Sequence, residues 1–396
     1  MKSDGDRNPF QFGSVAIEES FADREAEIAE LIGDMRNGQD VVVFAPRRCG
    51  KSSLVSSAVR ALAAKRMLVA QVDLMTTPTK ERLAAALATS IFERMASPLE
   101  RVKENALAPF RGLQVEPSIR VDPGSGAFSF SFGVGQKAAA IDATLERLLQ
   151  LPAELGGDRR RTALVMDEFQ EIVEIDPSLP RLLRSAFQRQ PKVSHVYLGS
   201  KRHIMERIFS DANEPFWRSA KPLELGPIER EPFARFIAER FRATGKGVEA
   251  DAVDELLETT GGHPYATQEL CYFLWERTPA EGTASAGSLR AALAAVLRSE
   301  HAHFTLLWEG CSAVQKILLQ ALAVEPGRPY RGDYRARHGL PAATNVQKAL
   351  AALARREVVA QAESEWRIVE PFLAGWLREK VTPGGREAGA ASARRA

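Results

Sequence analysis

Residues 41–54, VVVFAPRRCGKSSL, decide the reading of this chain. The stretch opens on VVVFAP (41–46), a continuous β-branched run of strand length, as expected of a parallel strand buried on both faces. KSSLVSSAVRALAA (51–64) then reads as a helix. Between them, residues 45–52 spell A-P-R-R-C-G-K-S against the pattern G-x-x-x-x-G-K-[ST]. Only the first glycine departs, to Ala45, at a position that shapes the turn. Backbone amides of such a loop, with the N-terminus of the helix behind it, can surround a phosphate. Lys51 would neutralise the β- and γ-phosphates, and the Ser52 hydroxyl would ligate Mg²⁺. Pro46, Arg47, Arg48, Cys49, Gly50 and Ser53 complete the expected nucleotide-binding set. A Gly-Lys-Ser triplet also occurs by chance at helix starts. The strand before it and the helix after it set this one apart.

A second constellation lies at 162–171, TALVMDEFQE. A mostly apolar run ends in Asp167-Glu168. An aspartate at the end of a buried strand is costly without a cationic partner, and Mg²⁺ is such a partner. Glu168, one residue on, could reach a water near the γ-phosphate as general base. Alone, the pair could be a solvated acidic turn; beside the phosphate loop it reads as the hydrolytic partner motif.

Working outward, an amphipathic helix is expected over 17–37, with Ile28, Leu31, Ile32 and Met35 at helical spacing and Gly38 at its end. Further strands are read at 67–74, 162–167, 194–199 and 222–226, with helices at 79–95, 137–151 and 179–189. Strands alternating with helices imply right-handed crossovers and a parallel, helix-covered sheet. Residues 108–136 break the pattern, and the alternation of Phe128, Phe130 and Phe132 suggests an exposed hairpin inserted there. The region from 229 to about 297 reads as wholly helical, and 304–378 as helices followed by a strand pair. The tail is low-complexity.

Composition excludes several classes. The 396 residues are 45% hydrophobic and 26% charged, enough for a real core, and the formal net charge of +2 gives no whole-chain field. Cys49, Cys271 and Cys311 lie far apart and suggest neither a zinc site nor a disulfide framework, so a reduced, cytoplasmic setting is expected. No apolar run is long enough to span a membrane, and no signal peptide is read at the start.

With these motifs in place, the chain resembles the archaeal-type branch of the STAND/AAA+ P-loop ATPases. The resemblance rests on NPFQFG (8–13), FADREAEIAEL (21–31), VVVFAPRRCGKSSL (41–54), ALVMDEFQE (163–171), HVYLGSKRHIM (195–205), FWRSAKPLELGPI (216–228) and GGHPYATQEL (261–270), in order. It implies a three-layer α/β P-loop domain at 1–228, a helical lid at 229–300, a winged helix at 301–380 and a disordered tail at 381–396. It also implies roles: Pro9 and Phe10 near the adenine, Ser200 as polar sensor of the γ-phosphate, Arg218 as an arginine finger, and Gly262-His263-Pro264 as a lid motif touching the nucleotide. Each has a bland rival. Ser200 and Lys201 could cap a helix at 202–208, Arg218 could be a surface charge, His263-Pro264 an ordinary helix–helix turn, and Pro9-Phe10 a hydrophobic staple.

In the C-terminal module, helices are expected at 312–324 and 344–357, the latter capped by Thr344 or Asn345, followed by a β-ribbon at 358–369. Ten Lys/Arg against seven Asp/Glu over 301–378 is a modest basic excess for a DNA-binding winged helix. The expected activity is a slow, Mg²⁺-dependent ATPase switch with ATP and a protein partner, DNA as a possible partner through the winged helix, and self-association on ATP binding. A DNA-associated motor or loader, a non-hydrolysing scaffold and a small-molecule kinase are the alternatives.

Overall fold

The structure, a computed structural model, describes residues 7–13, 24–46, 48–95, 110, 113–122, 128–133, 137–157, 160–362 and 364–380. Arg47, the first part of the helix expected from residue 17, and the tail lie outside them. The chain divides into two compact units.

The first unit comprises the described residues of 24–46 and 51–226. Its centre is a five-stranded sheet of β1 (Val41–Phe44), β2 (Leu68–Asp73), β5 (Thr162–Asp167), β6 (Val193–Leu198) and β7 (Lys221–Glu224). All pairings are parallel, in the order β2-β5-β6-β1-β7. Side chains alternate between faces, and both faces are buried. Val42, Phe44, Ala70, Val72, Leu164, Met166 and Tyr197 enter one core with α3 (Lys80–Met95), α4 (Ala138–Gly156) and α6 (Leu179–Phe187). Val41, Val43, Val69, Ala163, Val165 and Val196 are buried on the opposite face. There α1 (Glu25–Asn37) and α2 (Lys51–Ala64) pack on each other and on the strands. Of the expected helical stripe in α1, Leu31 and Met35 are fully buried. Two short helices, α5 (Ile172–Ile175) and α7 (Arg202–Ser210), complete this unit.

The insertion is a hairpin, but not an exposed one. β3 (Ser118–Val121) pairs antiparallel with β4 (Phe128–Ser131). The period of two puts Phe128, Phe130 and Phe132 on one face, and Phe130 and Phe132 are buried. Phe92 of α3 meets Phe128 and Phe130 at 4.7 and 5.6 Å between ring centroids, and the Phe130 amide donates to Thr89 Oγ1 at 3.2 Å. An aromatic face of that size is driven onto the neighbouring helix by its own burial.

The second unit comprises the described residues among 7–13, 48–50 and 227–380. It holds α8 (Arg230–Ala243), α9 (Ala250–Thr260), α10 (Pro264–Arg277), α11 (Ala286–Ser299), α12 (His301–Glu309), α13 (Ala313–Val324), α14 (Gly332–Arg337), α15 (Ala343–Arg355) and α16 (Pro371–Lys380). One hydrophobic core runs from Phe10 through these helices to Leu377, so the expected lid and winged helix share a core, and residues 7–13 group with them. The stretch after residue 229 is not wholly helical: β8 (Gly247–Val248) and β9 (Thr283–Ala284) form a two-residue parallel pair. The ribbon is β10 (Val359–Ala362) against β11 (Glu365–Ile368). Two helices beyond the expected order, α14 and α16, belong to this part. Ser312 and Gln315 form a reciprocal capping box on α13. By contrast α15 starts one residue early, at Ala343, with Ala342 as an N-cap that makes no side-chain bond. Thr344 and Asn345 therefore sit inside the first turn and do not cap it.

This second core contains a carboxyl that burial keeps neutral. Glu269 of α10 is 1% exposed, and neither of its oxygens has a hydrogen-bond partner among the described residues. Burial first, then the charges of Glu300 and Glu370, push its pKa up to about 8, with Arg48 opposing. A carboxyl whose folded pKa is raised contributes stability below its unfolded value, and that stability is lost as pH rises through the folded value. We expect urea-unfolding stability to fall between about pH 5 and pH 8, and Glu269→Gln to flatten that fall. An unchanged pH profile in the variant would show that Glu269 is ionised in the folded chain.

Candidate nucleotide site

Lys51, Asp167, Glu168 and Ser200 follow or end strands at the carboxyl edge of the sheet, whereas Arg218 precedes β7 at the other edge. The phosphate loop follows β1, Asp167 ends β5, and Ser200 follows β6. β6 lies between the strand that feeds the loop and the strand that carries the acidic pair. Packing fixes the strand spacing, so the side chains at these ends are held on a rigid frame.

Lys51 is the first residue of α2 and is 8% exposed. Its Nζ donates to the Ala45 and Pro46 carbonyls at 3.0 and 3.1 Å, so the ammonium lies within the curl of its own loop. Gly50 has φ +85°, where a side chain would be strained. Cys49 and Ser53 are buried beside it. Ala45, at the expected glycine position, is buried, and its carbonyl is one of the two that receive Lys51.

The Ser52 hydroxyl donates to Asp167 Oδ2 at 3.2 Å, joining two side chains 115 residues apart. Burial raises the Asp167 pKa, and the charges of Glu168 and Asp73 add to this, while bonds from the Glu168 amide and Ser52 oppose it. Asp73 pairs with Asp167 across β2 and β5. A desolvated carboxylate among like charges, bonded to a hydroxyl, is a donor set suited to a divalent cation. Among the described residues no group of three or more His, Cys, Asp or Glu could hold a metal unaided. Ser52 and Asp167 would therefore share an ion such as Mg²⁺ with phosphate oxygens and water, the habit of that cation.

Glu168 is held by a different set. Ser200 donates to its Oε2 twice, from the hydroxyl at 2.6 Å and the amide at 3.2 Å, and Gln170 Nε2 donates to the same oxygen. Burial alone would raise the Glu168 pKa; the bonds from Ser200 and Gln170 and the charge of Lys51 outweigh it, and the net shift is downward. Its backbone lies at φ 50°, ψ 45°, a left-handed conformation sparsely populated by residues other than glycine. The acidic pair is thus split: Asp167 towards the proton-bound form, Glu168 towards the carboxylate.

Ser200 does not cap α7; Lys201 occupies that position without a side-chain cap bond. Arg218 is exposed, lies 5.5 Å from the Trp217 ring and has φ 48°. In the second unit, Phe10 is fully buried against Phe236 and Phe241, with Asn8 Oδ1 accepting from its amide, and Pro9 beside it is half-buried. Phe10 is a core residue, and its ring offers no open face for an adenine. His263 is the N-cap of α10, its Nδ1 accepting from the Ala266 amide at 3.3 Å, and Pro264 takes the first helical position. Arg48, at φ 62°, stacks over Tyr265 at 4.3 Å. The structure therefore brings Lys51, Ser52, Asp167, Glu168 and Ser200 together within one unit, and describes Pro9, Phe10, Arg48, His263 and Pro264 within the other.

Two residues that help hold Glu168 were not singled out in the sequence. Gln170 is 1% exposed and bonds Glu168. Gly199 admits the close approach: a Cβ there would lie 2.6 Å from Gln170 Oε1 and 2.5 Å from Met205. A buried glutamine two residues after the acidic pair and a glycine before a serine at a strand end were the available signals.

A family model described as an ATPase domain predominantly from Archaea matches residues 21–270. The chain belongs to this ATPase family. A second model, a probable winged helix domain, matches residues 302–379 of the archaeal-type ATPase chain. Among solved structures, the Walker-type ATPase PABY2304 of Pyrococcus abyssi aligns with a TM-score of 0.64 at 18% identity, covering 93% of this chain and 99% of that one. The Aeropyrum pernix ORC2 protein, in ADPNP-ADP complexes, aligns with a TM-score of 0.53 at 15% identity, covering 96% and 99%. At these identities the likeness is one of fold. No curated protein sequence matches significantly. For this ATPase-family chain, the α/β P-loop fold with a C-terminal winged helix agrees with what the resemblance implied.

The raised Asp167 pKa sets a sign. The native state binds that proton more tightly than the unfolded chain does, so the ionised carboxylate costs stability above about pH 4. Asp167→Asn should raise the apo melting temperature at pH 7 and abolish any further rise on adding Mg²⁺ with ATP. Differential scanning calorimetry showing the variant less stable, or still responsive to Mg²⁺, would contradict this.

Proposed function

We propose that this chain is a Mg²⁺-dependent ATPase that works as a slow nucleotide switch on a protein or DNA partner. The observation that carries the reading is the split acidic pair. Asp167 is bonded to the Ser52 hydroxyl, and Glu168, the next residue, is held as a carboxylate by Ser200. When bound, Mg²⁺ would neutralise charge on the phosphate oxygens from the Ser52 and Asp167 side. Lys51 would exchange its two loop carbonyls for phosphate oxygens. Glu168 would orient a water and accept its proton.

A carboxylate with a lowered pKa is a weak base at neutral pH. Ser200 and Gln170 therefore hold Glu168 ready but poorly reactive, which supports slow turnover. Ser200 would also report the γ-phosphate, its hydroxyl leaving Glu168 for that group. His263 and Pro264 would act in the lid. A DNA-associated motor is the second reading, favoured by the winged-helix match at 302–379. DNA-stimulated turnover with a steep salt dependence would select it. No described helix is long and apolar enough to cross a membrane.

Lys51→Ala should abolish ATP binding in calorimetry. Glu168→Gln should keep ATP binding and lose hydrolysis by roughly 10²-fold or more, the scale of general-base catalysis. Hydrolysis by the glutamine variant at the wild-type rate would remove Glu168 as the base.

The exposed Arg218 supports an assembly step in which this side chain completes a neighbouring site. Arg218→Ala should lower turnover at unchanged ATP affinity, and wild-type turnover per chain should rise with protein concentration. Mixing Arg218→Ala and Lys51→Ala chains should restore some activity if the arginine acts across an interface. Normal turnover by Arg218→Ala at every concentration would make it an ordinary surface charge.

A further inference from the structure

The opposite end of the same sheet carries five positive side chains around one pocket. Arg36, Lys65, Arg66, Arg160 and Arg161 line a cavity of about 350 Å³, with Leu62 and Met67 as its apolar lining. Arg36 is in the last turn of α1, and Lys65 and Arg66 follow α2. Arg160 and Arg161 precede β5, whose Thr162 pairs with Leu68 at the start of β2. Six residue steps of extended chain run from Arg161 to Asp167, about 20 Å at the usual rise per residue. The pocket is therefore distinct from the nucleotide site.

Helix ends account for part of this charge. Helix carboxyl ends carry about half a negative charge each, and basic residues there offset it. The ends of α1, α2 and α4 precede these residues, so about one and a half negative charges face five positive ones. A surplus of about three and a half positive charges is left. None of the five forms an ion pair with a described residue; Arg161 makes only a long bond to the Pro191 carbonyl at 3.5 Å.

One of the five is held at a cost. Arg66 has φ 60°, at the left-handed position just past a helix, where glycine is favoured. A non-glycine residue there carries backbone strain. Gly38, the left-handed C-cap of α1 at φ +76°, lies against Arg161: a Cβ on it would be 2.5 Å from that guanidinium.

We propose that this pocket binds a ligand carrying clustered phosphates, at a site separate from the ATP site. Guanidinium forks match phosphate oxygens in pairs, and four arginines with one lysine in a pocket of this volume suit two or three adjacent phosphates. An inorganic polyphosphate and a nucleic-acid backbone share that chemistry.

The test uses the full chain in a Lys51→Ala background, which silences the phosphate loop. Tripolyphosphate binding is measured by calorimetry, and a fluorescent single-stranded 20-nucleotide probe by anisotropy. Arg66→Gly is the informative variant, because it relieves backbone strain and should fold at least as well. It should weaken at least one probe tenfold or more, and Arg36→Gln with Lys65→Gln should do the same. Loss confined to tripolyphosphate identifies a small polyanion. Loss of the oligonucleotide, with a salt slope lower by about one for each charge removed, identifies a nucleic-acid backbone. No binding of either probe, unchanged affinity in both variants, or equal retention of a polyglutamate peptide would overturn the proposal.

Discussion

The structure turns on two adjacent carboxylates at the rim of a buried sheet. Ionised groups in such a place are expensive, and the chain compensates them differently. Asp167 has one hydroxyl, one amide and two like charges around it, so its ionised form is under-compensated. Glu168 receives bonds from Ser200 and Gln170 with Lys51 nearby, so its ionised form is over-compensated. In the proposed mechanism a cation would suit the first, and the role of a held base the second. Glu168 itself lies in a left-handed backbone conformation, just past the end of β5.

The rest of the first unit serves this arrangement. β6 sits between β5 and β1, so Ser200 at its end reaches Glu168, while Ser52 on the helix after β1 still reaches Asp167. Gly199 allows the Ser200 loop to lie against Gln170 and Met205 without a clash. The aromatic hairpin and α3 cover the same face of the sheet that carries Phe44 and Met166, keeping that side of the strands dry.

Much of this was legible beforehand, for reasons that differ by residue. The strand at 41–44, the helix at 51–64 and the strand at 162–167 follow from local composition, because a buried parallel strand has no polar face to disguise it. Lys51 and Ser52 could be named because the phosphate-loop pattern fixes their places, and Asp167 because a carboxylate ends an apolar strand run. Gln170 and Gly199 could not, because their partners are remote or defined only by how closely two loops pass. The phenylalanine alternation correctly gave a hairpin, but periodicity cannot say whether the apolar face meets solvent or α3. The start of α15 was missed because Thr344 and Asn345 are good caps in isolation, while packing of Val346 and Leu350 sets where that helix begins. Phe10 was expected near a nucleotide, and its burial against Phe236 and Phe241 is a tertiary fact with no local sign.

The central claim is that Glu168 is an ionised, hydrogen-bonded base beside a cation-seeking Asp167. Phosphate release by the wild-type chain, followed from pH 5.5 to 8.5 with and without Mg²⁺ at saturating ATP, tests it most directly. The account predicts slow release that requires Mg²⁺ and shows no titration of the base across that range, since the lowered Glu168 pKa keeps it ionised throughout. Metal-independent release, or a rate that climbs with a midpoint near neutrality and is abolished in Glu168→Gln, would contradict it.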